Sequence, residues 1–172
     1  MISVLIYVPR PADPDAIERL ADTLSALVAG VAAGLVADAV IVSARIGDAL
    51  ETIADGSGAT LVQSGSDGPW RAGARVARRD WVLCLEAGDL PREGWIRTVD
   101  RFVGTARPEV SLARLRRPHA GFTDRTMMRL ERVLGARSPR GGDLVRRASL
   151  LAGSGFSPRQ RPRRLSAGLE RA

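Results

Sequence analysis

No lysine occurs among the 172 residues, so all 26 basic side chains are arginine. That excludes a phosphate loop of the Gly-Lys-Ser kind, whose ammonium group has no substitute here. Codon composition accounts for the bias better than selection for phosphate contacts, although guanidinium groups bind phosphate well. A single cysteine, Cys84, cannot form an internal disulfide; it sits in an apolar run, where a buried structural thiol is expected rather than a nucleophile. The one histidine, His119, follows Arg116-Arg117-Pro118 and is expected to be a solvated loop side chain. Cysteine–histidine metal spacing, a Gly-x-Ser-x-Gly elbow and internal repeats are all missing, which removes those enzyme classes and repeat arrays. No apolar stretch reaches the roughly 20 residues of a membrane span, and the N-terminus lacks the basic and apolar regions of a secretion signal. A cytoplasmic protein is expected.

The charge that is present lies unevenly. Residues 1–106 carry 10 Arg against 14 Asp and Glu, whereas residues 107–172 carry 16 Arg against 5. A basic half of this kind suits the anionic inner face of a membrane, at which the protein would sit peripherally, or an acidic protein partner. Aromatic residues able to stack on bases are limited there to Phe122 and Phe156, so nucleic acid ranks below both.

Length and a hydrophobic content of 45% suit one domain, expected over residues 1–156, followed by an Arg/Pro-rich tail, 157–172, expected to be flexible. Apolar runs at about residues 2–8, 39–43, 59–63 and 81–86 read as buried strands. Between the first two, Asp13-Pro14 is a helix start, and Ile17, Leu20, Leu24, Leu27 and Val28 recur at helical spacing towards Gly30 or Gly34. Residues 48–54 read as a short helix, and Trp70, Ala74 and Ala77 mark another whose small residues would let it lie close to a sheet. Beyond Pro108 the pattern allows a strand over 110–115, a helix over 123–134 and a short element over 144–151. Trp70, Trp81 and Trp95 fall inside elements and are expected in the core.

Strands that are continuously apolar and alternate with helices imply a sheet covered on both faces. The expected fold class is therefore α/β, a doubly wound, mostly parallel sheet. Ligands of such sheets bind outside the carboxyl ends of the strands, which directs attention to loops 9–11, 43–47, 63–68 and 86–91.

The motifs along the chain have a family likeness. Ala39-Val40-Ile41-Val42-Ser43-Ala44-Arg45-Ile46-Gly47-Asp48 aligns without gaps on Val-Ile-Val-Val-Asp-Gly-Gly-Ser-Thr-Asp. Ala72-Gly73-Ala74-Arg75-Val76-Ala77 resembles a helix reading Asn-Ala-Gly-Ala-Arg-x-Ala, and Leu90-Pro91 with Gly94-Trp95 resembles Leu-Pro-x-Gly-Trp with one residue more between the pairs. Gly142-Asp143-Leu144-Val145-Arg146-Arg147 and Gly155-Phe156 look like Gly-Asp-Gln-Gly-x-x-x-Arg-Arg, shortened before the arginines, and Gly-Gly-Phe. In the order of these motifs the chain resembles the family 2 glycosyltransferases of GT-A fold, in their short bacterial form.

The resemblance implies sugar transfer from a nucleotide-diphosphate sugar to an acceptor, including a membrane-linked one, with Mg or Mn as cofactor. It implies nucleotide contacts from Pro9, Ser43, Asp48 and Arg75, metal ligation by Glu86 and Asp89, and a late carboxylate, Asp143, as the candidate base. Such transfer needs positive charge on the leaving diphosphate and a carboxylate to deprotonate the acceptor. Three positions depart from the pattern. Ser43 replaces the first aspartate, Glu86-Ala87-Gly88-Asp89 has one residue too many for an Asp-x-Asp turn, and no Glu-Asp pair follows Phe156. Glu86 and Asp89 equally suit loop and helix-capping acids ahead of a helix near Pro91, and Asp143 a cap before Leu144. The alternative function is thus a catalytically degenerate binding or scaffold module of the same fold.

Overall fold

The computed structural model describes residues 1–117, 138–152 and 162–172. Its centre is β1 (Ile2–Val8), flanked by β2 (Val36–Ser43) and β4 (Trp81–Glu86), with β3 (Thr60–Gln63) beyond β2. These four strands are parallel; Leu5 lies opposite both Val40 and Cys84. Val4, Leu5 and Ile6 are all fully buried, because helices cover both faces of the sheet. That is the physical origin of the unbroken apolar runs.

One face carries α1 (Ala16–Ala32), α2 (Asp48–Ser57) and α4 (Trp95–Thr105), whose Leu20, Leu27, Val99 and Phe102 pack on Ile2, Val4, Ile6, Leu83 and Leu85. Trp81 and Trp95 are buried on this face, and Trp81 meets Phe102 edge-on at 5.2 Å. Trp95 lies so close to α1 that a Cβ on Gly30 would sit 2.7 Å from its ring. The other face carries α3 (Pro69–Val76), with Trp70 edge-on to Tyr7, and Cys84 is buried beneath it. Burial pushes the Cys84 thiol well above its ordinary pKa, in keeping with an inert structural thiol.

Small residues hold α3 against the sheet, as their spacing predicts. A Cβ on Gly73 would lie 2.9 Å from both Leu5 and Val42, themselves fully buried. Gly73→Ala therefore gains helix propensity but overpacks the interface, and urea denaturation should show a net loss of about 1–2 kcal/mol. An unchanged midpoint would mean that α3 shifts freely on the sheet.

The rest of the sheet departs from the expected architecture. After β4 come β7 (Asp143–Arg146), antiparallel to it, then β6 (Leu112–Arg116), antiparallel to β7. Next is β8 (Arg163–Arg171), parallel to β6, and last β5 (Asp89–Pro91), antiparallel to β8. The eight-stranded order is β3-β2-β1-β4-β7-β6-β8-β5, so the sheet is mixed rather than doubly wound and mostly parallel throughout. Residues 163–171, expected in a flexible tail, instead form β8, with Leu165, Ala167 and Leu169 buried at every second position. The short element over 144–151 resolves into β7 and α5 (Arg147–Leu151). The helix expected near Pro91 starts four residues later, after β5. His119 and the helix expected over 123–134 lie outside the described residues. Among the described residues no helix is long and apolar enough to cross a membrane.

Candidate functional site

The carboxyl ends of β1 and β4 flank a recess of about 290 Å3. Pro9 and Arg10 line it from the end of β1, Asp13 and Arg19 from the start of α1, Ala87 from the turn after β4, and Arg171 from the end of β8. Arg19 donates to Asp13 at 2.5 Å and lies 3.8 Å from Asp15. The hydrogen bond from Arg19 holds the Asp13 carboxyl below its ordinary pKa. Arg10 has no carboxylate partner among the described residues. Of the residues expected to touch a nucleotide, Pro9 alone lines this recess.

Ser43 ends β2 fully buried, and its hydroxyl donates to the Arg45 carbonyl at 2.7 Å, closing a local turn. Asp48 is exposed in the first turn of α2, where its charge favours the helix end. Arg75 leaves α3 on the opposite face from α1 and pairs with Asp67. The structure does not gather these three side chains around the recess.

The turn after β4 is pinned from α1. Gly88 adopts φ +95° and its N–H donates to the Arg19 carbonyl (3.0 Å) and to the Thr23 hydroxyl (2.8 Å). This conformation, strained for any residue with a Cβ, tucks Asp89 beneath the turn. Asp89 is fully buried; its Oδ2 accepts from the Glu86 N–H (2.9 Å), and Arg117 donates to both of its oxygens (2.9 and 2.8 Å). Desolvation pushes the Asp89 carboxyl above its ordinary pKa, against the pull of Arg117. Gly141 completes the enclosure, since a Cβ there would lie 2.7 Å from both Arg117 and Asp89. Glu86, half-buried, accepts from Arg171 at 3.1 Å.

Asp143 opens β7 directly across from Arg114 of β6. It is fully buried and accepts a bidentate pair from Arg114 (2.5 and 2.9 Å) and the Arg140 N–H (3.1 Å). Burial raises its carboxyl above the ordinary range, as a base requires. Its oxygens are nevertheless committed to Arg114 and Arg140, and no acceptor hydroxyl can reach them.

No protein-family model and no curated protein matches the chain, but solved structures do. One is glucosyl-3-phosphoglycerate synthase from Mycobacterium tuberculosis in complex with Mn2+, UDP and phosphoglyceric acid. It superposes with a TM-score of 0.59 at 19% identity, over 86% of this chain and 56% of that one. The same synthase with Mn2+ and UDP-Glc gives 0.63 at 18% identity, over 100% and 70%. A mannosyltransferase from Pyrobaculum calidifontis in complex with GDP-Man and Mn2+ gives 0.60 at 16% identity, over 92% and 48%. The fold is that of the GT-A glycosyltransferases. The chain spans little more than half the length of the first of these structures.

Those structures hold Mn2+, whereas the acids of this chain do not fit a divalent ion as they stand. Asp89 has given both oxygens to Arg117 and the turn, and Glu86 faces Arg171. A cation between them would have to displace two guanidinium groups. Among the described residues no cluster of three or more Asp, Glu, His or Cys side chains could hold a metal. The residues that sequence reasoning missed are these arginines: Arg114, Arg117 and Arg171 at the acids, and Arg10 and Arg19 in the recess.

Proposed function

We propose that this GT-A chain binds a nucleotide-diphosphate sugar in the recess at the ends of β1 and β4, meets the diphosphate with arginine rather than a divalent ion, and transfers the sugar weakly or not at all. The observation that carries this reading is that the three carboxylates expected to do the chemistry are each engaged by a guanidinium group: Glu86 by Arg171, Asp89 by Arg117 and Asp143 by Arg114. The recess itself offers Arg10 without a carboxylate partner, and Arg19 and Arg171, which a diphosphate would draw from Asp13 and Glu86. UDP- and GDP-sugars are the donor classes to try first, because the GT-A neighbours were solved with them. Of the two functions the sequence left open, a binding module of degenerate chemistry accords with these ion pairs better than a fast transferase does.

Titration calorimetry with UDP-glucose and GDP-mannose, with Mn or with a chelator, tests this. Binding should be equal in both conditions, and Arg10→Glu should weaken it about five- to tenfold. Binding that appears only with Mn would restore Glu86 and Asp89 as metal ligands and overturn the reading.

A further inference from the structure

A second depression, of about 620 Å3, runs between α4 and β8 and shares no lining residue with the recess at Pro9. Arg97 and Arg101 line it from α4, Arg163 and Arg164 from β8, with Phe102 and Leu165 beneath. The four arginines are exposed, and none has a carboxylate partner among the described residues. Against these four arginines the groove's lining holds one carboxylate, Glu93, so its net charge favours an anionic occupant.

The sheet topology gives the shape of what would fit. β5 pairs with β8 through residues 169–171 only, and Arg92 N–H adds one bond to the Gly168 carbonyl (3.0 Å). The chain then turns away at Gly94 (φ +83°) into α4. Among the described residues no strand continues the line of β5 beside residues 163–167, so among them this stretch of β8 is an edge, and the groove runs along it. Arg97 and Arg101 stand one helical turn apart, roughly 6 Å, close to the roughly 7 Å between alternate side chains of an extended strand.

We infer that the groove takes an acidic peptide segment as an added strand, its backbone pairing with this edge of β8 and its alternate carboxylates meeting Arg97 and Arg101. A second copy of this chain is a poor occupant, since its own β8 edge would bring Arg163 and Arg164 against the same charges. A bilayer is too flat to enter a recess, and a nucleic acid finds no stacking platform, since Phe102 is buried.

The probe is a fluorescein-labelled peptide of eight alternating Glu and Val residues, followed by anisotropy with the full chain at moderate salt. The peptide should bind, and Arg97→Glu with Arg101→Glu should weaken it about tenfold or more without shifting Tm. A peptide of the same sequence, N-methylated on alternate backbone nitrogens, keeps the charge but cannot pair as a strand, and it should lose a similar factor. Equal binding of the methylated peptide, or no effect of the double substitution, overturns the inference. So does failure of the peptide to bind while phosphatidylserine vesicles or an oligonucleotide bind and lose affinity in the same variant. Since the groove stands apart from the recess at Pro9, either site can fail its test without touching the other.

Discussion

Arg114→Met should cost the protein about 3–5 kcal/mol of stability, because it strips fully buried Asp143 of its bidentate guanidinium partner. The Arg140 N–H and the charge of Arg140 would remain, without the two short bonds that Arg114 makes. The double variant Arg114→Met with Asp143→Asn removes both charges and should recover most of that loss, since a neutral buried pair has far less desolvation to repay. Urea denaturation of the single and double variants at neutral pH measures the cycle. A loss below about 1 kcal/mol in the single variant would place the pair in solvent, where ion pairs contribute little, and would return Asp143 to the list of accessible bases.

Sugar transfer from UDP-glucose or GDP-mannose should run about 100- to 10,000-fold below a transferase with a working base, the usual effect of losing that group. Asp143→Asn should leave whatever turnover exists unchanged. Radiolabelled transfer and donor hydrolysis, wild type against variant, with circular dichroism to confirm that the variant is folded, decide the matter. Robust turnover abolished by Asp143→Asn would make Asp143 the base after all and require the Arg114 pair to open during the reaction.

What could be read from the sequence follows from where burial is two-sided. β1, β4 and the second half of β2 are apolar runs because both their faces are covered, and such runs declare parallel strands in a layered sheet; β3, at the sheet's edge, is only partly covered. Leu144-Val145 in β7 is buried just as fully, but an antiparallel strand inside the same sheet has the same apolar signature, so its reversal was hidden. In β8 the composition of Arg, Ser and Gly obscured a period of two, Leu165, Ala167 and Leu169, that marks a half-buried strand. Missing β8 meant missing Arg171, and with it the partner of Glu86. The Arg114–Asp143 pair was out of reach for another reason: the two residues meet only through the register of β6 on β7, which neither segment contains by itself. The turn at Glu86 to Asp89 was recognised as irregular. The consequence of its extra residue, a Gly88 turn that buries Asp89, depends on α1 supplying the Arg19 carbonyl and the Thr23 hydroxyl.

The position of β8 has a consequence for how the chain comes to be folded. It lies between β6 and β5, with Asp89 opposite Arg171 and Ala113 opposite Arg163, so a strand made late is wedged between two made much earlier. A chain emerging from the ribosome as far as β7 can assemble β1 to β4 and dock α1 and α3. Its β5 and β6 must meanwhile wait with exposed edges, the form in which strands pair wrongly with other molecules. Closure of such distant contacts is slow, and the final stitch also delivers Arg171 to Glu86 and to the wall of the recess. Completion of the sheet and closure of the recess wall are thus a single, late event in the folding of this protein.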